Sequence, residues 1–274
     1  AYGAMQTVRT KAARYFAGHV TVRGYVNSSN GLENPSAIES ILRTIGPEIR
    51  TISKRTSYNR MDASLFFGGE TVRQRKLMGV DFESEASELS NLFFIEGSID
   101  AMLGDAGFDG ILISTAAARI LGCRVGDDIN LFLTTDTGQY NTATVIVRGI
   151  FSETSLFGYI AYMRNTDLNR LLLRPDDAAT DIAVYLNAGV DEVAISETIR
   201  HEIGKTYPVY PRFRKKVDVD TAIAADPYGV HIAVITLDAQ LDQIKFILDA
   251  FLAVTYFVLV VFVLIVMVGI LNTY

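Results

Sequence analysis

The 274 residues are 49% hydrophobic and 20% charged, with 25 Lys and Arg against 31 Asp and Glu, for a formal net charge of −6. That apolar content excludes a disordered chain, and the acidic balance excludes a protein that coats nucleic acid. A mean hydropathy of +0.23 is high for a chain this charged, so the apolar residues are concentrated somewhere.

In residues 1–17, Met5, Val8, Ala12 and Tyr15 recur at helical spacing, with Arg9, Lys11 and Arg14 elsewhere on the wheel. This reads as an amphipathic helix, the outer end of a preceding transmembrane helix. HVTVRGYV (19–26) alternates like a strand, and residues 35–45 have helical spacing with Pro35 at the start. With 50–60 extended, residues 18–60 form an expected β-α-β unit. From 61 to about 149 the pattern changes to short strands separated by glycines, with a helix at ISTAAARIL. NTDLNRLLL (165–173) is predicted helical, DIAVYLN (181–187) a strand, 190–204 a helix and YPVYP (207–211) a last strand closed by prolines.

The expected fold is therefore α+β. Two β-α-β units, 18–60 and 151–232, form one lobe; 61–150 is an inserted β-rich lobe; 233–274 is a stalk and transmembrane helix.

Residues 250–271 hold no charge, and only Thr255 and Gly269 are off the apolar list. As a helix this run is roughly 33 Å long, enough for a hydrocarbon core of about 30 Å. Its 16 Leu, Ile, Val and Phe residues favour insertion by about 5 to 10 kcal/mol as an upper estimate. A buried core helix and a lipid-anchor tail are the weaker alternatives. Both ends of the chain read as cut, so an excerpt of a longer, multi-spanning membrane protein is expected. Between 217 and 249 there are six Asp and one basic residue, Lys245. A flank so poor in Lys and Arg belongs outside, which puts the folded region on the extracytoplasmic side of a cytoplasmic membrane. The single cysteine, Cys123, forms no internal disulfide and leaves the redox compartment open.

Leu237, Leu241, Ile244, Leu248, Phe251, Thr255 and Gly269 lie on one seam at alternating steps of four and three that runs from the charged stretch into the span. The seam is expected to pack on another helix or to take apolar cargo, with Thr255 and Gly269 allowing close helix approach in lipid. If helical throughout, 236–274 is roughly 58 Å long and projects about 20 Å from the bilayer.

No phosphate loop, nucleophile elbow, HExxH or CxxC is present, and His19, His201 and His231 are far apart in sequence. Gly104, Gly107 and Gly110 read as turn residues, His201-Glu202 as a solvated helix face, Asp127-Asp128 as a turn into a strand and Asn27-Ser28-Ser29 as loop chemistry. No catalytic, cofactor-binding or metal-binding residue is assigned. Arg212, Arg214, Lys215 and Lys216 form the one dense basic cluster, placed to dock an acidic partner or to lie near anionic head groups, with a solvated loop as the plainer reading.

The segment ILISTAAARILGCRVGDDINLFL, followed by TATVIVRGIFSE and YIAYMRNTDLNRLLL, resembles the extracytoplasmic core domain of ABC-transporter permeases of the MacB and FtsX superfamily. The matching positions are the small-residue helix 114–121, Gly122, Val125-Gly126-Asp127, the strand 147–151, and the aromatic strand and helix within 159–173. The terminal VMVGILNTY is similar to the second transmembrane helix of that family, with Asn272 at a position often Asn there. GHVTVRGY (18–25) is similar to the lipoprotein-releasing branch.

The resemblance implies a non-enzymatic permease subunit that works as a homodimer or heterodimer with a second permease subunit. A separate cytoplasmic ATPase holds the ATP, and this chain has no cofactor of its own. Its domain would transmit ATP-driven motion to release or export a lipoprotein or another amphipathic substrate, in contact with membrane lipid and with an extracytoplasmic lipoprotein, chaperone or adaptor. The alternative is a membrane-anchored sensory or scaffold module that regulates an extracytoplasmic partner such as a cell-wall hydrolase.

Overall fold

A computed structural model describes residues 12–13, 18–152 and 159–271, with side chains described at all of these except 216, 243–253, 264, 266 and 268–271. The first alternating segment forms β1 (Val20–Val26), joined by the short β2 (Ser29–Asn30) to helix α1 (Pro35–Arg43) and strand β3 (Ile49–Tyr58). Asn34 caps α1 by accepting from the Ala37 N–H, and Pro35 stands in the first turn, where its missing N–H costs nothing.

The middle of the chain supplies β4 (Ser64–Phe67), β5 (Glu70–Arg73), β6 (Lys76–Val80), helix α2 (Phe82–Leu89), β7 (Phe93–Gly97), β8 (Gly110–Ser114), helix α3 (Thr115–Leu121), β9 (Asp128–Thr134), β10 (Tyr140–Ser152), β11 (Ile160–Arg164) and helix α4 (Asn165–Leu172). The chain returns through β12 (Asp181–Leu186), helix α5 (Glu192–Gly204), helix α6 (Lys216–Ala225), β13 (Val230–Thr236) and helix α7 (Leu237–Leu271). Gly122 ends α3 in the left-handed region at φ 70°, where a side chain would strain the backbone.

The described strands form one mixed sheet in the order β13-β1-β12-β3-β6-β11-β8-β10-β9-β4-β5, with β2 on β1 and β7 on β10. Its first four strands interleave two split β-α-β units, since β1 and β3 flank β12 while β12 and β13 flank β1, each neighbouring pair antiparallel. This is the ferredoxin-like arrangement, with everything between β3 and β12 inserted.

Two expectations differ from this topology. The last strand of the second unit is Val230–Thr236, not 207–211, because Pro208 and Pro211 lack backbone donors and Val209 makes only an isolated bridge to Ile232. Strand β11, expected in the first lobe, lies between β6 and β8 inside the inserted region, and β3–β6 pairing carries the sheet across.

The core divides by sheet face and by segment. Val20, Val22, Ile182, Val184, Ile232 and Val234 pack under α1 and α5, whose Ile38, Leu42, Ile195, Ile199 and Ile203 meet them. A second cluster joins α3 and α4 to β4, β6 and β8–β11. On the face opposite α1 and α5 the sheet carries charge. One transverse register row runs Ala233, Arg23, Asp181, Arg55, Val80. Arg23 pairs with Asp181, and α2 lowers Glu85 onto Arg55 in a pair with no solvent exposure on either side chain. Arg55 Nε donates to Glu85 Oε1 at 2.7 Å, and its Nη2 donates to Glu85 and to Tyr185 Oη at 2.6 Å.

Helix α7 spans Leu237–Leu271, and its described side chains from Val254 to Val263, with Ile265 and Met267, are exposed. Among the described residues no helix is long and apolar enough to cross a membrane. Within the expected span 250–271 the side chains at 250–253, 264, 266 and 268–271 are not described, and Asn272 and the expected helix 1–17 apart from Ala12 and Ala13 lie outside the described residues.

A buried pair loses more when one charge is removed than when both are replaced by apolar groups. Glu85→Ala is expected to lower the unfolding free energy by about 3–5 kcal/mol, leaving Arg55 buried and unpaired. The Arg55→Met, Glu85→Leu double variant should recover most of that loss, as measured by chemical denaturation of the whole chain in detergent.

Candidate functional site at the root of the last helix

Strand β13 ends at Thr236 and α7 begins at Leu237, with no residue between them. The first turn is tied to the sheet in three ways. The Leu237 N–H donates to His19 O at 2.8 Å, the Ala239 N–H reaches Thr236 Oγ1 at 3.4 Å, and Gln240 Nε2 donates to Thr21 Oγ1 at 2.8 Å. A threonine in this position serves as a helix cap. Upstream, Gly18 at φ 88° lets the chain pass against Val184, whose carbonyl oxygen would lie 2.5 Å from any added Cβ.

Leu237 and Leu241 are buried in one cluster with Ala12, Ala13, Ala183 and Tyr185. Thr255 is exposed, and the side chains of Ile244, Leu248, Phe251 and Gly269 lie outside the described residues. Tyr185 joins this cluster to the buried ions. Its ring meets His19 edge-on at 5.9 Å, and its hydroxyl donates to Glu85 Oε2 at 3.1 Å. The root of α7, the sheet and α2 thus share one side chain.

The basic cluster is drawn to the same region. Arg212 lies 3.5 Å from Glu197 of α5, and Lys215 Nζ is 3.9 Å from Asp242 in the first turns of α7. Arg214 is exposed, and the Lys216 side chain lies outside the described residues. Exposed pairs of this kind contribute about 0–1 kcal/mol. Beneath them Tyr210 stacks on His231 at 4.9 Å, and Val219 of α6 packs with Ala239.

The other sequence candidates are dispersed. Gly104 and Gly107 bound a 3-10 turn, Asp127 accepts from the Arg124 N–H within its own turn, and His201 with Glu202 stands on the exposed side of α5. No cluster of three or more metal-ligating residues occurs among the described residues.

Electrostatics single out the charged row, which sequence reasoning missed. Burial alone would raise the Asp181 carboxyl, but Arg23 beside it holds it below the usual carboxylate range. Burial opposes the charge on Arg55, and Glu85 more than offsets this. Burial also pushes Tyr185 well above its ordinary value and Tyr25 up to about 12. Lys76 at the start of β6 is pushed down to about 7 by burial, against the pull of Asp181 and with the push of Arg23 and Arg55.

The folded state holds Lys76 neutral above about pH 7, whereas the unfolded chain keeps it protonated to about 10.4. The unfolded state therefore binds more protons in this window, and stability should rise with pH from about 7 toward 10, by up to about 1.4 kcal/mol per unit. Lys76→Met removes this contribution. The difference in unfolding free energy between Lys76→Met and the parent chain should shrink steadily between pH 7 and 9, and a constant difference would contradict the assignment.

No family model matches the sequence, and no curated protein matches it. Among solved structures, the crystal structure of the periplasmic region of MacB from Actinobacillus actinomycetemcomitans is similar at 12% identity and a TM-score of 0.46, over 68% of this chain and 82% of that one. A likeness at this level carries no weight for what the chain does.

Proposed function

We propose that the chain is the extracytoplasmic domain and adjoining membrane helix of a permease subunit in an ABC transporter of the MacB and FtsX superfamily. It carries the motion of a cytoplasmic partner ATPase to the outer domain and so releases or exports a lipoprotein or another amphipathic substrate. The observation that carries this reading is the continuous passage from β13 into α7 at Thr236–Leu237, hydrogen-bonded to β1 and followed by a charge-free run over 250–271. A helix joined to a sheet without a linker passes displacement on, whereas a flexible joint absorbs it.

The motif residues support the same reading. Helix α3 with its Gly122 cap leads through Val125-Gly126-Asp127 into β9, residues 147–151 lie on β10, and 159–173 contain β11 and α4. The chain itself does no catalysis in this reading, and ATP stays on the partner subunit. The seam residues Leu237, Leu241, Ile244, Leu248 and Phe251 pack on a neighbouring helix, and Thr255 and Gly269 allow close approach inside the bilayer.

Three glycines inserted between Thr236 and Leu237 should abolish transport in reconstituted vesicles while the partner's basal ATP hydrolysis and the melting of the outer domain are retained. Full transport by this variant would overturn the reading. Ile244→Asp or Leu248→Asp should likewise uncouple transport from hydrolysis. Free labelling of both positions by a water-soluble thiol reagent, after substitution to Cys, with no cross-link to any helix, would exclude the packed seam.

A further inference from the structure

A polar crevice opens where two parallel strands end. Strands β6 and β11 lie side by side, with Val80 in register with Arg164. Helix α2 then leaves to one face of the sheet and α4 to the other. Phe82 and Leu89 pack with Met78 and Val80, whereas Leu168 and Leu172 pack with Leu77. In open sheets the carboxyl ends of such strands, where the following helices part, are a favoured position for ligands. Here the parting leaves a cavity of about 400 Å³, a volume in the range of small-molecule sites.

Its walls carry both signs of charge, held apart. Lys54 and Arg164 line it with Asp81, Glu83, Asp176 and Asp177. Lys54 is answered by α1, with Nζ 3.6 Å from Glu39 and donating to Ser36 Oγ at 3.2 Å. Asp81 is taken up by α2, where it accepts from the Glu83 and Ser84 N–H groups and from Ser84 Oγ. Arg164 donates from Nη2 to the Met102 and Gly104 carbonyls and stacks on Phe108, which leaves its Nε and Nη1 without an acceptor among the described residues. Glu83 gives one oxygen to the Gly104 N–H at 2.8 Å, and the Asp176 and Asp177 carboxylates have no partner among the described residues. The nearby Arg170 and Arg174 are already engaged, with Asp109 and Asp167 and with Asp136. One open guanidinium therefore faces three open carboxylates. The acidic loop is held in place by buried side chains: Asn169 Nδ2 donates to Asp176 O at 3.1 Å and to Ala178 O at 2.8 Å, and Asn165 Nδ2 donates to Ala178 O at 3.0 Å. Across from it, the Glu85–Arg55 pair fixes the helix that carries Glu83. Opposite poles fixed across a gap are organised before a ligand arrives, which lowers the cost of binding.

We propose that this crevice binds a small diamino acid, with its carboxylate on Arg164 at the start of α4 and its two ammonium groups on Asp176, Asp177 and Glu83. A carboxylate suits a guanidinium and the amino end of a helix, and the Arg164 cap position supplies no side-chain oxygen of its own. Three open carboxylates favour a ligand of net positive charge. They are not gathered as around a metal ion, since no cluster of three or more metal-ligating residues occurs among the described residues. Positive groups spaced along a chain match them better than a single ion does. Free lysine and the carboxyl-terminal lysine of a polypeptide share most of this chemistry, but only the free amino acid keeps the α-ammonium group that the third carboxylate calls for.

The test is calorimetric titration of the full chain in lipid nanodiscs with L-lysine, with cadaverine, which lacks the carboxylate, and with aminocaproate, which lacks the α-amino group. Lysine should bind saturably and about tenfold or more tighter than either analogue. Arg164→Gln should erase the preference for lysine over cadaverine and keep the preference over aminocaproate. Because Arg164 also holds the Met102–Gly104 turn, the Asp176→Asn, Asp177→Asn double variant, which alters exposed side chains only, carries the test independently. It should melt like the parent chain and bind lysine about tenfold or more weakly. Absence of saturable lysine binding up to about 10 mM, or unchanged binding by the double variant, would overturn the site. Cadaverine binding as tightly as lysine to the parent chain would overturn the carboxylate pole, and equal binding of Nα-acetyl-lysine would overturn the free amino acid as its source. Transport plays no part in these readouts, so their failure is distinct from failure of the permease reading.

Discussion

Charges buried on one face of a sheet must be paired, and that requirement organises this protein. Arg23, Asp181 and Arg55 stand on three adjacent strands in a single register row, and their side chains share the face that α2 and the root of α7 cover. A one-residue slip of β12 would turn Asp181 to the opposite, apolar face and take from Arg23 its carboxylate partner in a low-dielectric core. The row therefore specifies register as much as it stabilises. It also fixes where α2 sits, because Arg55 is satisfied only when Glu85 comes down upon it.

The same constraint ties the outer end of the long helix to the inserted region. Tyr185 touches Leu237 and Leu241 through its cluster and shares its hydroxyl with Arg55 and Glu85. A shift of α7 against the sheet must either carry Tyr185 along or break a fully buried hydrogen-bonded group. Tightly packed elements with costly intermediate states tend to move as units. The hydrogen bonds from Leu237 to His19 and from Gln240 to Thr21 of β1 point the same way, since they tie the first turn of α7 to the sheet.

How far the fold was legible depended on whether its signal was local. Helices 35–43, 165–172 and 192–204 carried their caps or periodicity within a few residues, and β1 and β12 showed alternation or a continuous apolar run. Strand β13 did not, because VHIAVIT is a short apolar run directly before a helix, and such runs do not distinguish strand from helix. YPVYP looked like a strand by composition, but its prolines deny it a ladder. The candidate site was legible only in part. Leu237 and Leu241 stood out on the seam, while nothing in the neighbours of Glu85 in FESEASEL marks that carboxylate for burial.

Residue order along the chain was enough for many of the element types, the α+β class, the apolar run at 250–271 and the absence of familiar catalytic motifs, because each of these is written in neighbouring residues. The interleaved strand order, the single sheet that continues through the insertion and the partners of the buried charges came only with the tertiary structure. Arg55 finds Glu85 thirty residues away and Tyr185 at a separation of 130, and Arg23 finds Asp181 at 158. Pairings at such distances leave no periodic trace, and they are chosen by which strands the closing of the core brings side by side.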